Sequence, residues 1–239
     1  MRVVGVIQAR MGSTRFPGKM LALLAGRPLL WHVIHRMQQA ASLDELVLAT
    51  STNNRDDALA LLAPRLDVRV VRGSEDDVLS RFVTSAQETC ADVIVRINGD
   101  APLVDPRLTD RLVSALVSDD ADYVGPPEGC PCFHDGVDPM SRRILNRLAQ
   151  EAGHDPLARE HVTGYLKAHP DFGRYCAVEI EPVLCVAGPR LSVDTRDDLA
   201  FFESLYRRYG AAPGNLDLRI VAREFAKGEP RARAGEGAA

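Results

Sequence analysis

At 239 residues the chain has room for one substantial α/β domain, and its 46% hydrophobic and 26% charged fractions are those of folded soluble proteins. With no run of 18 apolar residues, a bilayer span is not expected. The net charge of −4 argues against a broad basic face for nucleic acid, and five unevenly spaced cysteines argue against a disulfide framework.

Arg2 to Ile7 reads as a buried strand, too short for a secretory signal, so a cytoplasmic enzyme is expected. Leu29, Leu30, Val33, Ile34 and Met37 recur at helical spacing after Pro28. Glu45 to Thr50 is a second strand, Asp56 to Leu66 a helix entered through Asn53-Asn54, and Val68 to Val71 a third strand. Ser74 and Asp77 stand at capping-box spacing before Val78, Leu79, Phe82, Val83 and Ala86, which share one helical face. Asp92 to Ile97 is a further strand, and Asp105-Pro106 starts a helix that reaches about Ser118, with Asp105 as its cap. This alternation predicts an α/β, Rossmann-like fold, a mostly parallel central sheet with helices on both faces.

After Asp122 the rhythm changes. Gly125 to Gly136 is a Pro/Gly/Cys-rich loop, and a short segment, Val137 to Met140, follows. Ser141 to Glu151 and Pro156 to Ala168 have helical spacing, and Arg174 to Ile180 reads as a strand. Leu191-Ser192-Val193 is a last short strand before a helix from Thr195 to Tyr209, which Thr195 and Asp198 can cap. Residues 1–227 are expected to form one domain, a nucleotide half to about 120 and acceptor-site insertions from about 121 to 190. The tail 228–239, poor in apolar residues, is expected to be disordered.

The loop Gln8-Ala9-Arg10-Met11-Gly12-Ser13-Thr14-Arg15-Phe16-Pro17-Gly18-Lys19 follows the first strand directly, at the sheet edge where open α/β folds bind ligands. Small residues let backbone N–H groups approach phosphate oxygens, and Arg10, Arg15 and Lys19 supply opposite charge. It is not a Walker loop, because five residues separate Gly12 from Gly18 and Met20 follows Lys19. Any magnesium is therefore expected on carboxylates elsewhere. A plain basic turn is the structural alternative.

Asp100 follows the fourth strand through Gly99, and Asp194 follows the Leu191–Val193 segment. Two carboxylates at one sheet edge, completed by triphosphate oxygens and water, suit magnesium. Taken singly, Asp100 reads as a turn residue and Asp194 as a neighbour of a helix cap. Cys130-Pro131-Cys132-Phe133-His134 has metal-ligand residue types without a partner cluster, and reads as ordinary thiols in a loop.

The stretch Ile7 to Lys19 resembles the opening of the CMP-sugar synthetases, most of all the spore coat polysaccharide biosynthesis protein F branch, akin to acylneuraminate and 3-deoxy-manno-octulosonate cytidylyltransferases. The likeness continues through Gly26 to Ile34, Arg72 to Leu79, Gly99-Asp100, Asp135-Gly136, Arg159 to Thr163 and Val193-Asp194-Thr195. It departs at Ala101, Ala158 and the Glu128 to His134 loop. The resemblance implies a dimeric cytidylyltransferase that uses CTP and Mg2+ to place CMP on a small anionic acceptor, in particular a 2-keto sugar acid. It implies Ala9, Arg10, Met11, Gly12, Ser13, Arg15 and Lys19 around the phosphates, with the Arg72 to Asp77 turn and Asn98 near base and ribose. Asp100 and Asp194 would bind the metal, and Asp135, Asp138, Arg159, Glu160 and His161 would face the acceptor. Arg10, Lys19 and Asp100 are the expected catalytic residues. A phosphonate or sugar phosphate acceptor, or a glycosyltransferase-like protein binding a finished nucleotide-sugar, are the rival readings.

Overall fold

A computed structural model describes residues 1–132, 136–188 and 191–226. The apolar run β1 (Val3–Gln8) leads through the basic loop to a two-residue ribbon, β2 (Leu23–Leu24) against β3 (Arg27–Pro28), and then to α1 (Leu29–Met37). Next come β4 (Glu45–Ser51), α2 (Asp57–Leu62), β5 (Arg69–Gly73), α3 (Val78–Glu88), β6 (Val93–Asn98) and α4 (Pro106–Ser118). The second half adds β7 (Tyr123–Gly125), β8 (Val137–Ser141), α5 (Arg142–Glu151), α6 (Pro156–His161) and α7 (Thr163–Ala168). It ends with β9 (Tyr175–Ala177), α8 (Arg196–Tyr209) and α9 (Leu218–Ala226).

Seven strands form one sheet in the order β5-β4-β1-β6-β8-β7-β9. Only β8 runs against its neighbours, so the sheet is mostly parallel. Successive strand side chains face opposite layers. Val3 and Ile7 pack with apolar side chains of α1, α4, α8 and α9, whereas Val4 and Val6 pack with those of α3, α5, α6 and α7. Helices thus cover both faces. Phe82 and Phe202, each at most 1% exposed, anchor the two layers, and burying a side chain of that size stabilises the fold by about 1.5–3 kcal/mol. Among the described residues no helix is long and apolar enough to cross a membrane.

Several elements differ from expectation. Leu191–Val193 is not a strand: Val193 N–H donates to the Asp100 carbonyl (2.8 Å), and a single tie builds no ladder. The helix expected over 156–168 breaks at Val162, whose backbone (φ 49°, ψ −89°) leaves helical space. A β-branched residue at positive φ is strained, and burial of the Val162 side chain holds it there. The strand expected to Ile180 stops at Ala177, and the helix expected over 56–66 is cut into α2 and short 3-10 turns, with Pro64 in the last. Asp77 itself caps α3, accepting from Ser80 N–H, so the box with Ser74 does not form. Asp105 caps α4, and Thr195 with Asp198 makes the reciprocal box on α8. The tail 228–239 lies outside the described residues, as do His134 and Asp135.

Candidate active site

β1 and β6 are parallel neighbours with Gln8 opposite Asn98, and β4 flanks β1 on its other side. Chain order reverses at this point, so the loops after β1 and β6 part and leave a crevice at the carboxyl edge of the sheet. The basic loop is fixed there by a carboxylate: buried Asp56 accepts from Met11 N–H (2.7 Å) and from the Ser51 amide and hydroxyl. Gly18, at φ 78°, takes the left-handed turn that starts the short 3-10 helix carrying Lys19. Gly99 is required for room: a Cβ there would sit 2.8 Å from the Gln8 carbonyl and 2.9 Å from Ala9 Cβ. Only glycine lets the two loops approach so closely.

The crevice opens as a cleft of about 540 Å³ lined by Gln8, Ala9, Arg10, Gly12, Ser13, Thr14, Arg15, Lys19, Met20, Glu75, Asp76, Val78, Arg81, Asp100, Glu160, His161 and Asp194. At its floor Lys19 is nearly out of water, 5% exposed. Its Nζ donates to Asp100 Oδ2 (2.7 Å), Asp194 Oδ1 (3.1 Å) and the Val193 carbonyl (2.8 Å). Arg15 reaches the other Asp194 oxygen at 3.1 Å. Two carboxylates from segments 94 residues apart therefore converge on one point beside the basic loop, each about one-quarter exposed. The Val193–Asp100 backbone bond places Asp194 there in place of the absent strand.

That donor set suits a hard divalent cation, which takes one or two carboxylates from the protein and its remaining oxygens from phosphates and water. Among the described residues no group of three His, Cys, Asp or Glu side chains stands where it could hold a metal by itself. Oxygens from a bound phosphate chain are what the pair lacks.

Other expected residues fall elsewhere. Arg10 lines the cleft and pairs with Glu75 (3.7 Å), which also holds Arg55 (3.0 Å). Met11 contributes its backbone to the loop anchor and does not line the cleft. Arg72 lies outside it too, donating to the Ser51 and Asn53 carbonyls and pairing with Asp57. Asn98 donates its N–H to the Gly136 carbonyl, and its buried Oδ1 has no hydrogen-bond partner. Arg159 pairs with Asp77 (3.5 Å), tying α6 to the cap of α3.

Asp138 corrects an expectation. It is turned into an internal cluster, accepting from Arg96 (2.7 Å), Thr163 (3.0 Å) and Lys167 (2.7 Å). Burial alone would raise its carboxyl, but Lys167 and Arg96 overcome this and hold it far below the ordinary carboxylate range. Asp138 instead supports the cleft indirectly, because Arg96 also donates to the cleft residue Gln8 (3.2 Å). Several cleft residues escaped sequence reasoning, Gln8 and Arg81 among them. Gln8 ends a strand, and Arg81 is almost wholly buried with an unpartnered Nε, its Nη1 donating to the Ser74 and Glu75 carbonyls. An arginine among apolar positions of α3 was the signal for the second.

A family model described as cytidylyltransferase matches residues 4–206. The chain belongs to the cytidylyltransferase family. It is accordingly a nucleotidyltransferase, and the glycosyltransferase-like reading is set aside. Over 218 residues the chain is 35% identical to the spore coat polysaccharide biosynthesis protein SpsF of Bacillus subtilis, covering 88% of this chain and 89% of that protein. A 3-deoxy-manno-octulosonate cytidylyltransferase of Geobacter metallireducens is 31% identical over 61% of this chain and 57% of its own length. The solved structure of a cytidylyltransferase from Leptospira borgpetersenii superposes with a TM-score of 0.84 at 25% identity, covering 95% and 94% of the two chains. This cytidylyltransferase fold places the cleft at the β1/β6 switch point.

Proposed function

We propose that this cytidylyltransferase transfers CMP from CTP to a 2-keto sugar acid, with Mg2+, and releases pyrophosphate. The observation that carries the reading is the convergence of Lys19, Asp100 and Asp194 beside Arg10 and Arg15 in one cleft. The names of relatives add support for the acceptor, since the Geobacter protein acts on 3-deoxy-manno-octulosonate.

Arg10, Ser13 and Arg15, with the backbone N–H groups of Arg10 and Gly12, hold and orient the triphosphate. Lys19 offsets the negative charge that grows on the leaving pyrophosphate. Asp100 and Asp194 would hold Mg2+, which when bound neutralises phosphate charge and eases loss of the acceptor hydroxyl proton. Positioning and charge neutralisation are the main demands of such a displacement, so no dedicated protein base is needed. Glu160 and His161, which line the cleft from the end of α6, contact the acceptor. Chains work as homodimers in this reading, which sedimentation would test.

A nucleotide panel scored by pyrophosphate release tests the donor: CTP should be used well above ATP, GTP and UTP, and equal use of GTP overturns the assignment. With CTP fixed, 2-keto sugar acids should be taken in preference to phosphonates and sugar phosphates. Turnover confined to a sugar phosphate would refute the acceptor class while leaving the donor intact.

A further inference from the structure

The described residues of the Cys-containing loop do not line the cleft, yet the fold gathers its thiols with a third from far along the chain. Cys132 forms an isolated antiparallel bridge with Cys185, so the two segments lie backbone to backbone. Cys185 closes the short turn Pro182–Leu184, whose Leu184 is fully buried. On the other side the loop is held by Tyr175, whose hydroxyl donates to the Pro126 carbonyl (2.5 Å), and by a turn in which Cys130 N–H donates to the Pro127 carbonyl (3.0 Å). Between these anchors Cys130 Sγ and Cys185 Sγ stand 3.2 Å apart, closer than the non-bonded contact of two sulfur atoms.

We infer that Cys130 and Cys185 form a reversible dithiol–disulfide site, closed by small-molecule disulfides and reopened by thiols, with Cys132 as a neighbour outside the bond. The inference does not depend on the acceptor or on the cytidylyltransferase reaction. The hydrogen bond with Cys130, together with burial, pushes the Cys185 thiol up. With Cys185 as the resolving thiol, exchange opens at Cys130. Its thiolate attacks one sulfur of the small disulfide, expels one small thiolate and forms a mixed disulfide. Cys185 then gives up its proton and attacks Cys130 Sγ, which forms the Cys130–Cys185 bond and expels the second small thiolate. The protein loses two protons and two electrons, and the small disulfide becomes two thiols. The bond would join the loop that runs on to Gly136, against Asn98, to the segment that runs on to Val193 and Asp194.

Incubation of the full chain with oxidised glutathione, quenching by alkylation under denaturing conditions, and peptide mass mapping tests this. Expected is a loss of two titratable thiols, a mass lower by two hydrogen atoms, a cross-linked Cys130–Cys185 peptide, and reversal by dithiothreitol. Cys132→Ser should form the same bond, whereas Cys130→Ser and Cys185→Ser should not, with unchanged far-ultraviolet circular dichroism as the control for folding. Oxidation should also raise the urea midpoint of the wild type, and this rise should vanish in Cys185→Ser. Cys132–Cys185 as the dominant cross-link, glutathione remaining on Cys130 of the wild type, or zinc bound by the purified chain and lost in Cys130→Ser would each overturn it.

Discussion

Lys19 donates to three oxygens from a position with almost no access to water, and two of those oxygens belong to carboxylates. Removing its ammonium takes away the cation that stands between Asp100 and Asp194 and a charge aimed at the leaving group. Lys19→Ala should lower turnover on the order of 10²-fold or more, measured as pyrophosphate release at saturating CTP. Turnover near wild type would remove Lys19 from the reaction. His32 offers a test outside the cleft. It is fully buried, donates from Nε2 to the Leu24 carbonyl (2.6 Å) and accepts at Nδ1 from Gly214 N–H (3.2 Å), which fixes it as neutral. Burial holds its pKa down to about 4, below the ordinary 6.5, the Leu24 bond opposing and Arg36 assisting. Between these values the unfolded chain binds more protons than the folded one, so stability present above about pH 6.5 is lost as pH falls toward about 4. The full loss is on the order of 3 kcal/mol. Urea unfolding across that range should show the slope, and His32→Gln should flatten it. At this scale the sequence was informative where a side chain's place follows from its own segment, as for Arg10, Arg15 and Lys19, which all line the cleft. It was silent where the partner lies across the sheet, and so Asp138 was expected toward an acceptor although Arg96 and Lys167 enclose it.

Helix ends were the most legible elements, because a cap is a local chemical event. Asp105 and the Thr195–Asp198 pair announced α4 and α8 through the N–H groups they satisfy. The helix α9 was not foreseen, although Leu218, Val221, Ala222 and Phe225 recur on one helical face. Ladders were not legible in the same way. Whether Leu191–Val193 pairs, and whether β8 runs against β6, depends on distant backbone that leaves no local mark. What fastens α9 could not be read from spacing either. Arg219 pairs with Asp105 (2.7 Å) and donates from Nε to Glu181 (2.7 Å), so one guanidinium ties α9 to the cap of α4 and to the turn that ends at Cys185. Glu181 hydrogen bonding, with help from Asp105, raises the Arg219 pKa above its ordinary value against the opposing effect of burial. Arg219→Ala would deprive Asp105, 2% exposed, of the ion pair that offsets its buried charge. Such a loss costs about 3–5 kcal/mol, to be read from urea midpoints. A change below 1 kcal/mol would show that the pair is screened.

Across the whole molecule the sheet order decides where chemistry can occur. Strand–helix alternation was enough to foresee a mostly parallel sheet and a crevice at its carboxyl edge, because both follow from connection rules. The crossing point itself, between β1 and β6, emerges only from strand order. Its lining has a consequence for how the cleft fills. Four cationic side chains (Arg10, Arg15, Lys19, Arg81) share the cleft with five acidic ones (Glu75, Asp76, Asp100, Glu160, Asp194). The empty cleft thus behaves like an ion exchanger already loaded with its own counter-ions, and it offers a bare polyphosphate no surplus attraction. Nucleotide uptake should be tied to a travelling positive charge: calorimetry in EDTA should give CTP binding at least about tenfold weaker than in millimolar Mg2+, a difference of about 1.4 kcal/mol or more. Equal heats with and without the chelator would mean that the arginines alone suffice.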